Sequence, residues 1–507
     1  MSLNEQAYQE NLAVVSGFEP SLLWRWFARI GAIAHPSYHE EALANDIVDW
    51  AKSQGLPVRR DAVGNVIINK AATNGMQDMP TIALQAHLDM VPQANADTVH
   101  DFTKDPIRFR LNPDNPQWLM ATGTTLGADN GIGLASCLAV LESKELAHPA
   151  LEVLLTMTEE TGMVGAIGLA ANELSASMMI NTDTEEIGEV YIGCAGGIDA
   201  DVSLPVAYED SDFDAALSIG IKGLRGGHSG IDIHKNRGNA IKLIARVLAA
   251  LQQSGEHFAI VQVQGGTLRN AIPREASAII ACQAEQKNQL IAKIEAICQQ
   301  IFEEIKQAES SFVSLVQDAQ FNGRAISASD SDKLIGLMNA LPSGVVRYSD
   351  TVEDTVETSL SLGRVGIVDG QFEAVLLVRS LIESGKEAIC TVIDSIARLA
   401  GAKAVFDGGY VGWNPEPNSA ITQLTIKEYT KILGTSPQVK VIHAGLECGL
   451  IKQSHPNLDI VSIGPTIKNA HSPDEMVDIA SVDVYWQLLV RILETSRHQR
   501  DICGFTP

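Results

Sequence analysis

The imidazole and carboxylate side chains most able to do chemistry in this sequence fall in a few short phrases. His87-Leu-Asp89 closes one apolar run, Glu159-Glu160 closes a second, and Asp183 follows a third. Asn469-Ala-His471 follows a fourth, and Asp129 stands in Gly127-Ala-Asp-Asn-Gly131 at the start of a helical stretch. Two histidines with several carboxylates make a ligand set suited to zinc or manganese. The carboxylates are too many for one ion. Two ions about 3.5–4 Å apart, with one carboxylate bridging them, would use them all. Taken singly, each phrase has an ordinary explanation. His-x-Asp is commonly a surface loop, Glu-Glu a solvated turn, Asp129 a charge at a helix N-terminus, and His471 a cap. Their joint occurrence at the ends of four apolar runs is what points to a metal site.

The surrounding pattern says how these residues are positioned. Residues 22–34, 41–54 and 131–141 have helical apolar spacing, and 65–69, 81–86, 151–158 and 178–182 are short strand-like runs. This alternation predicts an α/β domain, with a mixed central sheet flanked by helices. In an open α/β sheet, ligands bind beyond the carboxyl ends of the strands, which is where the phrases fall. Near Tyr191 the texture changes. From Cys194-Ala-Gly-Gly197 to about residue 410 the pattern is α+β, and 421–494 returns to helices and strands that include the run before His471. The reading is one α/β domain split into residues 1–194 and 411–507, with a second domain inserted at 195–410. The glycines near 193–197 and 408–412 are hinge candidates.

Bulk properties narrow the function. The chain has 507 residues, with 37 Lys plus Arg against 62 Asp plus Glu, a formal charge of −25. Such acidity argues against nucleic acid, which is bound through Lys and Arg that displace counterions, and against anionic membrane surfaces. No secretory leader pattern opens the sequence, and no apolar run of about 18 residues is present to span a membrane. The cysteines number seven, Cys503 among them; they are widely spaced and have no C-x-x-C, which fits reduced thiols in the cytoplasm.

The phrases A-H-L-D-M-V (86–91), G-A-D-N-G-I-G (127–133), T-E-E-T-G (158–162), N-T-D (181–183), G-G-H-S-G (226–230) and N-A-H-S-P-D-E (469–475) together resemble the co-catalytic di-zinc metallopeptidases of the aminopeptidase–aminoacylase type. The likeness is nearest to their aminoacyl-histidine dipeptidase branch, and it runs over essentially the whole chain. It implies a split di-zinc peptidase domain with an inserted lid and dimerisation domain, and hydrolysis of dipeptides of broad specificity, Xaa-His included. It implies that His87 and Asp183 hold one metal, Glu160 and His471 the other, and that Asp129 bridges both through a cis Asp129–Asn130 peptide. Zinc is the expected metal, with manganese or cobalt accepting the same ligands. Glu159 would be the general base acting on a metal-bridging hydroxide, and Asp89 would orient His87. His228 would donate to the oxyanion, in relatives often across a dimer interface. Asn270, Arg379, Gly445 and Glu447 would contact substrate: Arg379 its carboxylate, Glu447 its free amine. The expected assembly is a homodimer through the inserted domain. The competing readings are an N-acyl-amino-acid deacylase on the same scaffold and a non-catalytic metal-binding protein.

Overall fold

The apolar run preceding His87 forms a strand, Ile82–His87, in which every residue is buried. Complete burial requires cover on both faces, and it explains why the run does not alternate with polar residues. Leu151–Thr156 and Met178–Asn181 are buried throughout in the same way. The computed structural model describes residues 3–95 and 97–496; Cys503 lies outside them.

The chain divides into two units: residues 1–193 with 415–441 and 446–507, and residues 194–414 with 442–445. Among the described residues, the first unit is built on an eight-stranded sheet. Its order is Val58–Arg60, Val66–Lys70, Leu151–Thr156, Ile82–His87, Met178–Asn181, Asp459–Ser462, Glu189–Cys194, Gln438–Ile442. The strands Leu151–Thr156, Ile82–His87, Met178–Asn181 and Asp459–Ser462 are mutually parallel. Val66–Lys70 and Glu189–Cys194 pair antiparallel on either side of them, so the sheet is mixed. The four parallel strands present their carboxyl ends along one edge.

Helices cover this sheet. Ser21–Gly31 buries Leu23, Trp24, Trp26, Phe27 and Ile30, and Phe27 stacks on Phe109 at a centroid distance of 4.7 Å. Ala128–Glu142 is buried nearly all round. Its close approach to the sheet depends on Gly133, where a Cβ would lie 2.4 Å from both Asn130 Oδ1 and Thr182 Oγ1. Gly127, just before this helix, is left-handed at φ 70°, a conformation glycine adopts without penalty.

The second unit carries a nine-stranded antiparallel sheet, whose long central strands are Val356–Val368, Gln371–Ser380 and Gly196–Pro205. The helices Ala240–Gln253, Lys287–Ile305, Ala328–Ala340 and Glu383–Ala400 share one apolar core with it, centred on Leu217, Ile244, Ile280, Leu334 and Leu376. Among the described residues, no helix is long and apolar enough to cross a membrane.

Candidate metal centre

The carboxyl edge of the parallel strands gathers the acidic and imidazole groups. His87 is the last residue of its strand, Glu159 and Glu160 follow Thr156, Asp183 follows Asn181, and His471 lies in the loop after Ser462. Asp129 enters from the start of helix Ala128–Glu142. There Asp129 and Asn130 leave helical geometry, and the peptide between them is cis.

His87 Nε2 lies 3.3 Å from Asp129 Oδ1 and 3.3 Å from Asp183 Oδ1. His471 Nε2 lies 3.1 Å from Asp129 Oδ2 and 3.1 Å from Glu160 Oε2. Two trios, His87–Asp129–Asp183 and Asp129–Glu160–His471, each bring their donor atoms within 4.8 Å of one another, and Asp129 belongs to both. A third trio, His87–Glu159–Glu160, meets the same criterion. Nitrogen and carboxylate donors at this spacing fit a pair of divalent cations. Glu160 Oε1 supports the fit: it is buried without a hydrogen-bond partner.

The electrostatics agree. Burial, reinforced by the charges of Asp129 and Glu160, pushes Asp183 up to about 6. Burial likewise raises Glu160, with Asp129 adding to it. Asp129 is held well below the carboxylate range, because hydrogen bonds from His471 and His87 outweigh its burial. Hydrogen bonds to Asp129 and Glu160 carry His471 up to about 11. Burial opposes charge on His87, but Asp183, Asp129 and Asp89 prevail and raise it. Positive charge is what these carboxylates demand, and divalent cations would supply it while leaving both imidazoles neutral and free to ligate.

Neighbouring groups hold these side chains in place. Asp89 Oδ1 accepts the Glu159 N–H at 2.8 Å, and Oδ2 accepts the Glu160 N–H at 3.1 Å and the Ser37 hydroxyl at 2.7 Å. The acceptor nearest His87 Nδ1 is the backbone carbonyl of Asp89, at 3.0 Å; the carboxylate stands at 3.4 Å. Asn130 donates to Asp183 Oδ1 at 2.5 Å and to the Thr182 carbonyl at 2.8 Å. Thr158, before Glu159, is left-handed at φ 53°, unusual for a β-branched residue. Its hydroxyl donates to the buried Glu40 at 2.7 Å. Burial, with the charges of Asp183, Glu160 and Glu447, lifts Glu159 well above the usual carboxylate range against the pull of His87. Glu447 is fully buried in the same unit. Its Oε2 accepts from Gln85 and Thr156, each at 2.6 Å, while Oε1 has no partner. Burial pushes it up to about 7.

His228, Asn270, Arg379 and Gly445 belong to the second unit. The N–H groups of Gly230 and Ile231 both point at His228 Nδ1, at 3.1 and 3.0 Å. Nδ1 is therefore the acceptor, and the ring proton sits on Nε2. Burial and the charge of Arg379 lower this histidine to about 4, so it is neutral at pH 7. Arg379 is 4% exposed; Nη1 donates to the Tyr410 hydroxyl at 2.8 Å, Nη2 lies 3.4 Å from His228 Nε2, and Nε has no partner. Asn270 is exposed, and its carbonyl accepts the Ser229 N–H at 2.8 Å. Gly445 lies in the turn before helix Glu447–Ser454.

Comparison with known proteins places the chain in a family. Residues 219–306 match the peptidase dimerisation domain of the M20 peptidases. The chain is 48% identical over 485 residues to the cytosol non-specific dipeptidase of Escherichia coli strain K12, covering 95% of this chain and 99% of that one. The crystal structure of aminoacylhistidine dipeptidase from Vibrio alginolyticus superposes with a TM-score of 0.88 at 47% identity, over 95% of this chain and 97% of that one. The chain belongs to the M20 dipeptidase family. It is a hydrolase of the metallopeptidase class. The yeast di-peptidase Dug1p, at 13% identity and a TM-score of 0.51, shares the fold. In this M20 chain the structure also draws in residues that the sequence reading left unassigned. Ser37 and Glu40 buttress Asp89 and Thr158, and Glu475 sits beneath Asp129. Glu475 stands inside the N-A-H-S-P-D-E phrase, but its partners are backbone groups, which leave no mark in a sequence.

Proposed function

We propose that this protein is a two-metal dipeptidase of broad specificity that includes Xaa-His dipeptides of the carnosine kind. The observation that carries the reading is the sharing of Asp129 by two ligand trios, in a chain nearly half identical to a dipeptidase along almost its whole length. His87, Asp129 and Asp183 would hold one ion and Asp129, Glu160 and His471 the other, with zinc the proposed occupant. When bound, the pair polarises a scissile carbonyl and lowers the pKa of a water.

The remaining steps belong to side chains. Glu159 accepts a proton from the attacking water and returns it to the leaving amine. Its raised affinity for protons and its fixed backbone suit it to that exchange. His228, neutral with its proton on Nε2, is a donor suited to an oxyanion, and Asn270 is a second. Arg379 offers a planar guanidinium to the substrate carboxylate, and Gly445, two residues before Glu447 in sequence, is a further substrate contact. Glu447 Oε1, buried without a partner, is the acceptor proposed for the α-ammonium. A free ammonium and a free carboxylate recognised together would confine the enzyme to short peptides and disfavour an N-acyl substrate. We further assign the protein to the cytoplasm and to a homodimer formed through the inserted domain, which carries the dimerisation-domain match.

The deciding experiment assays the zinc-loaded protein on Xaa-His and other dipeptides beside N-acetyl and N-succinyl amino acids. Turnover of the dipeptides and neglect of the acyl compounds is expected. The reverse order would make it a deacylase, and two bound metals with no amide hydrolysis would make it a non-catalytic protein.

A further inference from the structure

Glu475 is 2% exposed and makes no ion pair with a cation among the described residues. Its carboxylate is occupied by main chain alone. Oε2 accepts the N–H groups of Leu126 at 2.7 Å and Gly127 at 2.9 Å, and Oε1 accepts those of Ala128 at 2.8 Å and Asp129 at 3.2 Å. Four consecutive peptide donors thus close on one side chain from the far end of the chain. The loop they form turns through left-handed Gly127 and ends at Asp129, whose two oxygens face His87 and His471. Glu475 lies four residues after His471, in a turn closed by its own N–H to the Ser472 carbonyl at 3.0 Å. On the other side, Asn130 ties the same loop to Asp183.

We propose that Glu475 is the positioning residue of the metal centre: it fixes the Asp129 loop to the His471 loop, so that one carboxylate can face both metal positions at once. The proposal rests on the reading of Asp129, Glu160 and His471 as ligands. Asp129 can bridge only if its backbone is held in register with histidines from two distant segments. Four bonds to one carboxylate supply that register, whereas among the described residues the side chain of Asp129 is held only by the two histidines it faces. A glutamine in this place would keep one accepting oxygen and turn an NH2 toward two N–H donors. The loop would lose half its hold, with little change in side-chain volume.

Glu152 provides a control of the same chemistry. It is also a buried carboxylate holding main chain, accepting the Ser175 and Ala176 N–H groups, each at 2.9 Å, and the Ser175 hydroxyl at 2.6 Å. It lies near the opposite end of its strand from Glu159 and Glu160. The test is zinc binding by full-length, metal-stripped protein in competition with a chromophoric chelator, for wild type, Glu475→Gln, Glu475→Asp, Glu152→Gln and Asp129→Asn. Thermal unfolding of each metal-free protein is read alongside. Glu475→Gln is expected to weaken zinc binding about 10–100-fold, the usual effect of losing a group that orients a ligand. Glu475→Asp should recover part of that loss, since it keeps the charge and both acceptors. Glu152→Gln should lower the metal-free midpoint yet leave zinc affinity within threefold of wild type. Zinc affinity within threefold of wild type in Glu475→Gln would overturn the proposal, as would an equal loss in Glu152→Gln. If Glu475→Gln does not fold, full wild-type affinity in Glu475→Asp, whose shorter side chain draws the carboxylate back from the four donors, overturns it equally. Wild-type zinc binding in Asp129→Asn would instead show that the ligand assignment itself is wrong, and the proposal would fall with it.

Discussion

Replacing Glu159 by Gln separates two roles that the geometry allows. The carboxylate falls in a trio with His87 and Glu160 whose donor atoms lie within 4.8 Å, so it has the position of a ligand as well as that of a base. The features that aim it reside in the backbone. Its N–H is held by Asp89 at 2.8 Å, and the preceding Thr158 is pinned to Glu40 at 2.7 Å. Glutamine keeps those bonds and the side-chain shape, and it loses the negative charge and with it the capacity to take a proton or to ligate a metal strongly. General acid–base catalysis contributes roughly 10²–10⁴ in rate. Glu159 would be used twice per turnover, once to take a proton and once to return it, which puts the expected loss near the upper end. A fall in kcat of about 10⁴ corresponds to ~5.4 kcal/mol at 1.36 kcal/mol per decade. KM should move by no more than about threefold, since the substituted group would not hold substrate. The assay is steady-state hydrolysis of an Xaa-His dipeptide on protein whose zinc content is measured by elemental analysis. Two zinc ions per chain with kcat within tenfold of wild type would refute the base assignment. Loss of one zinc ion would show that Glu159 is a ligand and that Glu160 alone does not complete its side of the centre.

Three further outcomes follow from the structure. Asp89→Asn should weaken zinc binding about tenfold, the low end of the range for such partners, because His87 Nδ1 keeps the Asp89 carbonyl at 3.0 Å; unchanged affinity in a chelator competition would mean the carbonyl alone orients the ring. Gly133→Ala puts a Cβ 2.4 Å from Asn130 Oδ1 and Thr182 Oγ1; denaturant unfolding should show a loss of about 1–3 kcal/mol from overpacking, and an unchanged midpoint would contradict the packing described. His443 is 8% exposed, and burial together with Arg379 and His228 lowers it to about 3. An unfolded histidine takes up its proton near pH 6.5, so its contribution is complete above that pH and is lost as pH falls toward 3. Between pH 7 and pH 5 the loss is about 2 kcal/mol, and urea unfolding of His443→Gln at the two pH values should show a dependence smaller by that amount.

The sequence disclosed the candidate ligands because their types and their places at strand ends are both local signals. A run of apolar residues ending in His87 or followed by Glu160 can be read without knowing what packs on it. Such signals also bound the strands to within a residue or two: the run at 81–86 became Ile82–His87, and the run at 151–158 ended at Thr156. What escaped were contacts in which one partner is backbone, or in which two common residue types meet across a long stretch of chain. The hold of Glu475 on residues 126–129 spans 346 or more residues of chain, and nothing in an N–H group advertises its partner. The hold of Glu40 on Thr158 spans 118 and joins two residue types found everywhere. Nor could spacing say that His87 Nδ1 would find the carbonyl of Asp89 closer than its carboxylate.

A metal centre drawn from both sides of a long insertion raises the question of how its register survives. The answer lies in the sheet. Met178–Asn181 precedes the insertion and Asp459–Ser462 follows it, yet the two are parallel neighbours, with Met178 opposite Asp459 and Asn181 opposite Ser462. The chain leaves the sheet at Glu189–Cys194 and returns beside it at Gln438–Ile442, and Asp459–Ser462 then fills the place between Met178–Asn181 and Glu189–Cys194, so Asp183 and the loop bearing His471 issue from adjacent strand ends. Pairing alone fixes His471 only to within the freedom of the loop between residues 463 and 475. The left-handed backbone of His471, at φ 63°, and the carboxylate of Glu475 take up that freedom at the loop's far end. The sheet therefore sets the distance between the two halves of the site, and the loop sets its angle. That division lets a unit of more than two hundred residues sit within the chain while the ligand geometry remains a property of the first unit alone.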